Sequence, residues 1–85
     1  YQNFLRGRAR FHRRDDLFSA VDDLARAVTL DPEFGEAWLY LAATWVVLPG
    51  YHLEHEIDAA KAKASARVAL DRAEVLMPEH PMIPA

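Results

Sequence analysis

The sequence predicts an all-α fold in which two tandem antiparallel helical hairpins form an α-α superhelix. Alanine and leucine are abundant, whereas glycine occurs only three times in 85 residues. Ala and the straight-chain residues lose the least conformational freedom in a helix. No stretch alternates polar and apolar residues with the period of two that is typical of strands. Apolar residues instead recur at helical spacing in successive segments that Asp and Pro residues separate.

The first hairpin is predicted from two such segments. A first helix over 1–14 places Tyr1, Phe4, Leu5 and Phe11 near one face. Asp15 and Asp16 then supply an N-cap and favourable negative charge for a second helix. The apolar positions of that second helix are Leu17, Ala20, Val21, Leu24, Ala27 and Val28. It is expected to end at Asp31-Pro32, because proline restricts the residue before it.

The second hairpin is predicted to have a longer connection. A third helix over 36–48 is expected to end at Pro49-Gly50, and 51–56 is interpreted as a connection. A fourth helix over 57–77 has a main stripe of Ala59, Ala62, Ala66, Ala69, Leu70, Ala73, Leu76 and Met77. A thinner stripe on another side consists of Ile57, Ala60, Ala64, Val68 and Val75. A helix that is apolar on two sides requires two neighbours.

One spacing occurs twice along the chain. Ala20-x3-Leu24-x2-Ala27-x4-Pro32 recurs as Ala66-x3-Leu70-x2-Ala73-x4-Pro78. The third helix reads Trp38-x2-Leu41-Ala42-x2-Trp45. Together these resemble the tetratricopeptide repeat, a 34-residue helix–turn–helix with the pattern W-x2-L-G-x2-Y, A-x3-F and P. The resemblance implies one domain with repeat 1 over about 1–34, repeat 2 over about 35–78 with an insertion near 49–60, and a tail over 79–85.

The leading helix departs from the repeat pattern. Gly7 keeps the small residue, but Asn3, Arg6 and Arg10 stand where large apolar residues are usual, so Phe4, Leu5 and Phe11 are expected to pack instead. A narrower similarity lies in Leu5-Arg6-Gly7-Arg8, the Arg13-Arg14 pair and the Pro49-Gly50-Tyr51 connection. This combination resembles repeat regions that follow adenylate cyclase, winged-helix regulator or kinase modules in bacterial signalling proteins. It implies a domain of a larger bacterial, cytoplasmic protein.

The function that the repeat resemblance implies is non-catalytic protein–protein recognition or scaffolding. The residues expected where helices cross or end are Ala20, Leu24, Ala27, Pro32, Trp38, Leu41, Ala42, Trp45, Ala66, Leu70, Ala73 and Pro78. The residues expected to line a partner-binding groove for a protein or peptide are Phe4, Arg8, His12, Leu39, Ala43, Val46 and Val47. For Phe4 a place in the core is the stronger alternative, and Leu39, Val46 and Val47 could instead be covered by a neighbouring repeat.

Two repeats are fewer than the three or so that a solenoid normally needs to bury its apolar faces. Further repeats, a tail over 81–85 that folds back, or self-association could cover the ends. Because the fourth helix is apolar on two sides, we expect a homodimer. No apolar run approaches the ~18 residues of a membrane span, so no membrane partner is expected.

No catalytic constellation is found in the sequence. The chain has no Cys, which excludes thiol nucleophiles and Cys-ligated metals. His52 and His55 have metal-ligand chemistry, but their spacing matches neither HExxH nor HxxEH. We therefore expect no enzyme activity, no cofactor and no metal, and interpret this segment as a polar connection.

The first fourteen residues are strongly basic, with Arg6, Arg8, Arg10, Arg13 and Arg14 and no acidic residue. A phosphate-binding surface needs such residues. The arginines point around the helix, however, acidic residues follow directly, and the net charge is −3. Nucleic-acid binding is therefore not expected. The alternative kept open is a regulatory segment whose Arg-rich helix contacts nucleic acid or a neighbouring domain.

Overall fold

The computed structural model describes residues 1–14, 16–51 and 58–78, and these residues form four helices and no strand. The helices are α1 (Gln2–Arg13), α2 (Leu17–Leu30), α3 (Gly35–Tyr51) and α4 (Ala59–Leu76). The all-α prediction is confirmed. Within the described ranges, no helix is both long enough and apolar enough to cross a membrane.

Aspartate side chains cap two of the helices. Asp16 precedes α2 and accepts hydrogen bonds from the Ser19 backbone N–H at 3.3 Å and from the Ser19 hydroxyl at 2.7 Å. Asp58 precedes α4 and accepts from the Lys61 backbone N–H at 3.1 Å. Each cap satisfies an N–H that has no partner inside its helix. The other expected cap, Asp15, lies outside the described residues, as does Ile57, where α4 was expected to begin.

Helix α3 continues beyond the residue predicted to end it. Pro49 lies inside the last turn, and the helix reaches Tyr51. The prediction that Pro49-Gly50 ends the helix is therefore wrong. Proline removes its own N–H and crowds the carbonyl four residues before it. So close to the end of α3, this disturbs only the last turn of the hydrogen-bond ladder.

Consecutive helices pack against each other in antiparallel fashion. In the first pair, the side chain of Arg6 reaches Asp23 and that of Arg10 reaches Asp16. Later residues of α1 therefore contact earlier residues of α2, so the two helices run in opposite directions. Helix α3 lies across both α1 and α2, and α4 packs against α3 alone. The elements therefore stack in chain order, with α4 at one end.

Small residues allow close approach within both pairs. A Cβ placed on Gly7 would lie 2.6 Å from Cγ of Leu24 in α2. A Cβ placed on Gly35 would lie 2.7 Å from Cγ of Met77, which follows α4. Neither position has room for a larger side chain without movement of its neighbour. The first of these contacts fixes how deeply Leu24 fits against α1.

Most residues expected at helix crossings lie in the core. Seven of them are buried: Ala20, Leu24, Ala27, Leu41, Ala42, Ala66 and Ala73. The half-buried members are Trp38, Trp45 and Leu70. Pro32 and Pro78 are exposed; they follow the helix ends and take no part in the packing. The Trp38 indole N–H donates to the Pro32 carbonyl at 2.8 Å, which ties the α2–α3 turn to α3.

A candidate protein-binding groove

An open apolar groove lies between α3 and α4. It has a volume of about 680 Å³. Its lining, called the α3–α4 groove below, consists of Leu39, Ala42, Ala43, Val46, Ala60, Lys63, Ala64, Ala66, Arg67 and Leu70. Eight of these ten residues are apolar, and the two charged ones are both basic.

Alanine creates the space in this groove. Ala42 and Ala43 on α3 face Ala60, Ala64 and Ala66 on α4 across it. Side chains that end at Cβ leave a channel where larger residues would fill the gap between the two helices. The groove is therefore a direct result of small residues on both of its walls.

The floor and the rim of the groove differ in exposure. Leu39 is 5% exposed and packs with Ala73, while half-buried Leu70 extends the same cluster. Val46 is 68% exposed at the rim. A large apolar side chain with that exposure has no neighbour among the described residues to cover it, so part of the groove is open to a partner.

The corresponding face of the first hairpin is covered. The shared Ala-x3-Leu-x2-Ala spacing makes Leu17, Val21 and Leu24 on α2 the counterparts of Lys63, Arg67 and Leu70 on α4. Leu17 and Leu24 are both 0% exposed. Helix α3 covers this face, and its Leu48 packs with Leu17 and Ala20. Among the described residues, α3 covers the face of the first hairpin, and no helix covers the corresponding face of the second.

Lys63 and Arg67 form a basic edge along α4. Both are exposed, and they lie four residues apart, which places them on one side of the helix. The Nε atom of Arg67 is 3.1 Å from Oδ1 of Asp71, and both side chains of this pair are more than half exposed. Exposed pairs of this kind contribute little stability, so Arg67 is held only loosely by Asp71.

The structure divides the predicted groove residues between different places. Leu39, Ala43 and Val46 line the α3–α4 groove together. Arg8 and His12 belong to α1 and are absent from the lining of that groove. The guanidinium of Arg8 is 5.3 Å from the centroid of the Phe4 ring, and Nε2 of His12 is 3.2 Å from the Tyr40 hydroxyl. One continuous surface through all of these residues is not found.

Two of the predicted groove residues are not groove residues. Phe4 is 2% exposed, with its ring centroid 4.5 Å from that of Phe34 and 5.8 Å from that of Tyr40. It belongs to the core, because the start of α3 covers that side of α1. Val47 is half-buried against the cluster of Leu17, Ala20 and Leu48 and faces α2 rather than the groove.

The arginines of α1 are largely engaged within the molecule. Arg6 and Arg10 both reach the carboxylate of Asp23, at 3.6 Å and 3.4 Å. The guanidinium of Arg14 is 4.2 Å from the centroid of the Phe11 ring. Asp23 itself is only 7% exposed. The Arg-rich helix therefore uses its charge to hold α2.

Several groove residues were not among the predicted site residues. The α4 wall of Ala60, Lys63, Ala64 and Arg67 was missed. A signal was present, because the second apolar stripe of α4 contains Ala60 and Ala64 and indicates a second neighbour. Lys63 and Arg67 are ordinary surface residues by sequence, and only the packing of α4 shows that they border an apolar channel.

No metal site is found in the part of the chain that the structure describes: it contains no group of three His, Cys, Asp or Glu side chains that could hold an ion. The predicted polar connection with His52 and His55 lies outside the described residues. A scan against protein-family models found no match for this chain, and searches of curated proteins and of solved structures found none either.

Proposed function

We propose that this chain is a non-catalytic protein-interaction module of two tetratricopeptide-like repeats within a larger bacterial protein, and that its α3–α4 groove receives a helix. One observation supports this above all. Helix α3 covers Leu17 and Ala20 on the first hairpin, whereas the corresponding face of the second hairpin is an open apolar channel among the described residues.

The shape of the occupant follows from this internal comparison. The element that covers the first hairpin is a helix, and its covered residues include Ala37, Leu41 and Leu48. An amphipathic helix with apolar residues at intervals of four and seven positions can bury them in an apolar groove such as the α3–α4 groove. Burial of each large apolar side chain then favours binding by about 1.5–3 kcal/mol.

The alternative of an Arg-rich surface for nucleic acid has less support. Arg6 and Arg10 share the buried carboxylate of Asp23, and Arg10 also lies 3.3 Å from Asp16. Guanidinium groups paired in this way must give up those partners before they can neutralise phosphates. The apolar groove therefore is the better candidate for the binding site.

A helical probe tests this proposal. The probe is a synthetic peptide based on residues 35–48, with its apolar residues at the positions of Ala37, Leu41 and Leu48 kept and its other large residues replaced by Gln. Its affinity is measured by fluorescence anisotropy for the unmodified chain, for Val46→Glu at the groove rim, and for Val75→Glu. Val75 is equally exposed on α4 but lies outside the groove lining.

The expected result is that Val46→Glu weakens binding at least tenfold, because a carboxylate would be buried against the probe. Binding to Val75→Glu should remain at the level of the unmodified chain. Equal affinity for all three chains, or no binding to the unmodified chain, would contradict the proposal. Amide chemical shifts measured during the titration should change along α3 and α4 and remain unchanged along α1.

A further inference from the structure

We infer that the partner of the α3–α4 groove is an acidic amphipathic helix, with carboxylates four residues apart on the edge that faces Lys63 and Arg67. This inference rests on the proposed function, since it names the chemistry of the partner for the same groove. It follows from a comparison of the two hairpins and from the charges along α4.

The two equivalent faces differ at two positions. In the first hairpin Leu17 and Val21 border the covering helix, and Leu48 of α3 packs with Leu17. In the second hairpin the counterparts are Lys63 and Arg67, while Leu70 keeps the apolar character of Leu24. A helix that fits the second face therefore needs apolar residues along its centre, as α3 has. Next to Lys63 and Arg67 it needs carboxylates in place of the residues that α3 presents to Leu17 and Val21.

The charges of α4 favour a negative partner. Its groove edge carries Lys63 and Arg67, and the first half of the helix, 59–67, contains no acidic residue. An apolar wall beside these cations lowers the local dielectric, so a carboxylate gains more there than in open water. A lysine or arginine in the same place would meet like charges at close range, which is destabilising.

Arg67 can bind a partner without losing its own pair. Asp71 contacts it through Nε, at 3.1 Å. A guanidinium has five N–H donors in a planar fork, so its Nη atoms can still donate to a second carboxylate. Lys63 presents three further donors one turn away. Two carboxylates separated by one helical turn match these two cations.

Three peptides that differ only in charge test the inference. All are based on residues 35–48, and the positions of Thr44 and Leu48, which are four apart like the two cations, carry Glu, Gln or Lys. Leu48 packs with Leu17, the counterpart of Lys63. Position 44 lies one turn from position 48 on the same side of the helix, so a probe that docks antiparallel as α3 does should present it towards Arg67. Dissociation constants are measured for each peptide with the whole chain.

The expected order of affinity is Glu over Gln over Lys. Two exposed pairs contribute about two- to thirty-fold between the Glu and Gln peptides. The preference should decrease as salt is raised towards 1 M, where the Debye length falls to about 3 Å. In the double variant Lys63→Glu/Arg67→Glu the order should invert, with the Lys peptide binding most tightly.

The matched control reverses two cations outside the groove. Lys61 and Arg72 are exposed on α4 and are absent from the groove lining. The variant Lys61→Glu/Arg72→Glu has the same net charge as the groove variant and should keep the preference for the Glu peptide. If both variants lose that preference equally, the effect comes from net charge, and the inference is wrong. Circular dichroism confirms that each variant is folded.

The outcomes separate the two proposals. If none of the three peptides binds, the probe that keeps Leu48 distinguishes the cases. The proposed function fails if that probe does not bind either, and only this inference fails if it does. If all three bind equally and Val46→Glu still weakens them, the groove binds helices without regard to charge, and only this inference fails. Light scattering provides a third result: a dimer that Val46→Glu converts to a monomer would mean that a second copy fills the groove, and the acidic-helix inference would be overturned.

Discussion

Gly7 and Leu24 lie so close together that a Cβ on Gly7 would be 2.6 Å from Cγ of Leu24. The backbone carbonyl of Ala20 would be 3.3 Å from the same Cβ. Cγ of leucine is a branch point near the backbone, so it cannot turn aside as the tip of a long side chain does. This contact sets the distance between α1 and α2, and it explains why an Arg-rich helix needs glycine at its centre.

Gly7→Ala is therefore expected to destabilise the protein. Overpacking costs about 1–3 kcal/mol, and the greater helix propensity of alanine returns about 1 kcal/mol at most. The net loss in the free energy of unfolding should be up to about 2 kcal/mol, measured by urea denaturation. Gly50→Ala is the control, because a Cβ at Gly50 would meet nothing within 4 Å. A loss of the same size at Gly50 would contradict this explanation.

Ala73→Leu should destabilise the second hairpin. Ala73 is completely buried and packs with Leu39. The added methyl and methylene groups have no space, so the free energy of unfolding should fall by about 1–3 kcal/mol. Ala64→Leu on the same helix is the comparison. Ala64 is exposed in the groove lining, so stability should change by less than about 0.5 kcal/mol, while binding of the helical probe should weaken.

Asp23→Ala should cost about 0.5–1.5 kcal/mol, because the partly exposed guanidinium of Arg10 loses its buried partner but keeps Asp16. Its neighbour Asp22 is exposed, and Asp22→Ala should stay within about 0.5 kcal/mol of the unmodified chain. Thermal denaturation of both variants tests the difference. Equal effects at the two positions would show that Asp23 acts as an ordinary surface charge.

Asp58→Ala should destabilise the first turn of α4, because the Lys61 N–H loses its acceptor. The expected cost is about 0.5–2 kcal/mol. Hydrogen exchange at the Lys61 amide should accelerate, while amides in α1 keep their rates. Asp58→Asn preserves an acceptor oxygen and should restore most of the protection. Exchange that is unchanged in Asp58→Ala would show that this cap does not stabilise the helix.

The sequence predicts the fold better than it predicts the groove. The spacing of Ala20, Leu24 and Ala27, repeated at Ala66, Leu70 and Ala73, correctly indicates which faces of α2 and α4 are buried. Such spacing is local information, because a helix face is defined by residues three and four apart. The all-α class and the approximate helix ranges follow from the same kind of information.

Contacts between distant parts of the chain are what the sequence does not show. For Phe4 the stronger alternative, a place in the core, is the one found, but the helix that covers it could not be named from the sequence. Asp23 is buried because two arginines from α1 converge on it, and its neighbouring sequence does not show this. Val47 and Val46 are adjacent and chemically identical, yet one packs toward α2 and the other lines the groove. Only the rotation of α3 about its axis distinguishes them.

The position of α4 at one end of the stack has a consequence for how the module would respond to a partner. Since α4 packs against α3 alone, it can separate from the rest without breaking the contacts of α1 with α2, and such a unit opens at lower free energy than the whole domain. The groove has both of its walls only when α4 is packed against α3. A partner at a hundred times its dissociation constant would add about 2.7 kcal/mol to the docked state. Binding would therefore be reported by slower exchange of the α4 amides, and the helix at the end of the stack would become the sensor of occupancy.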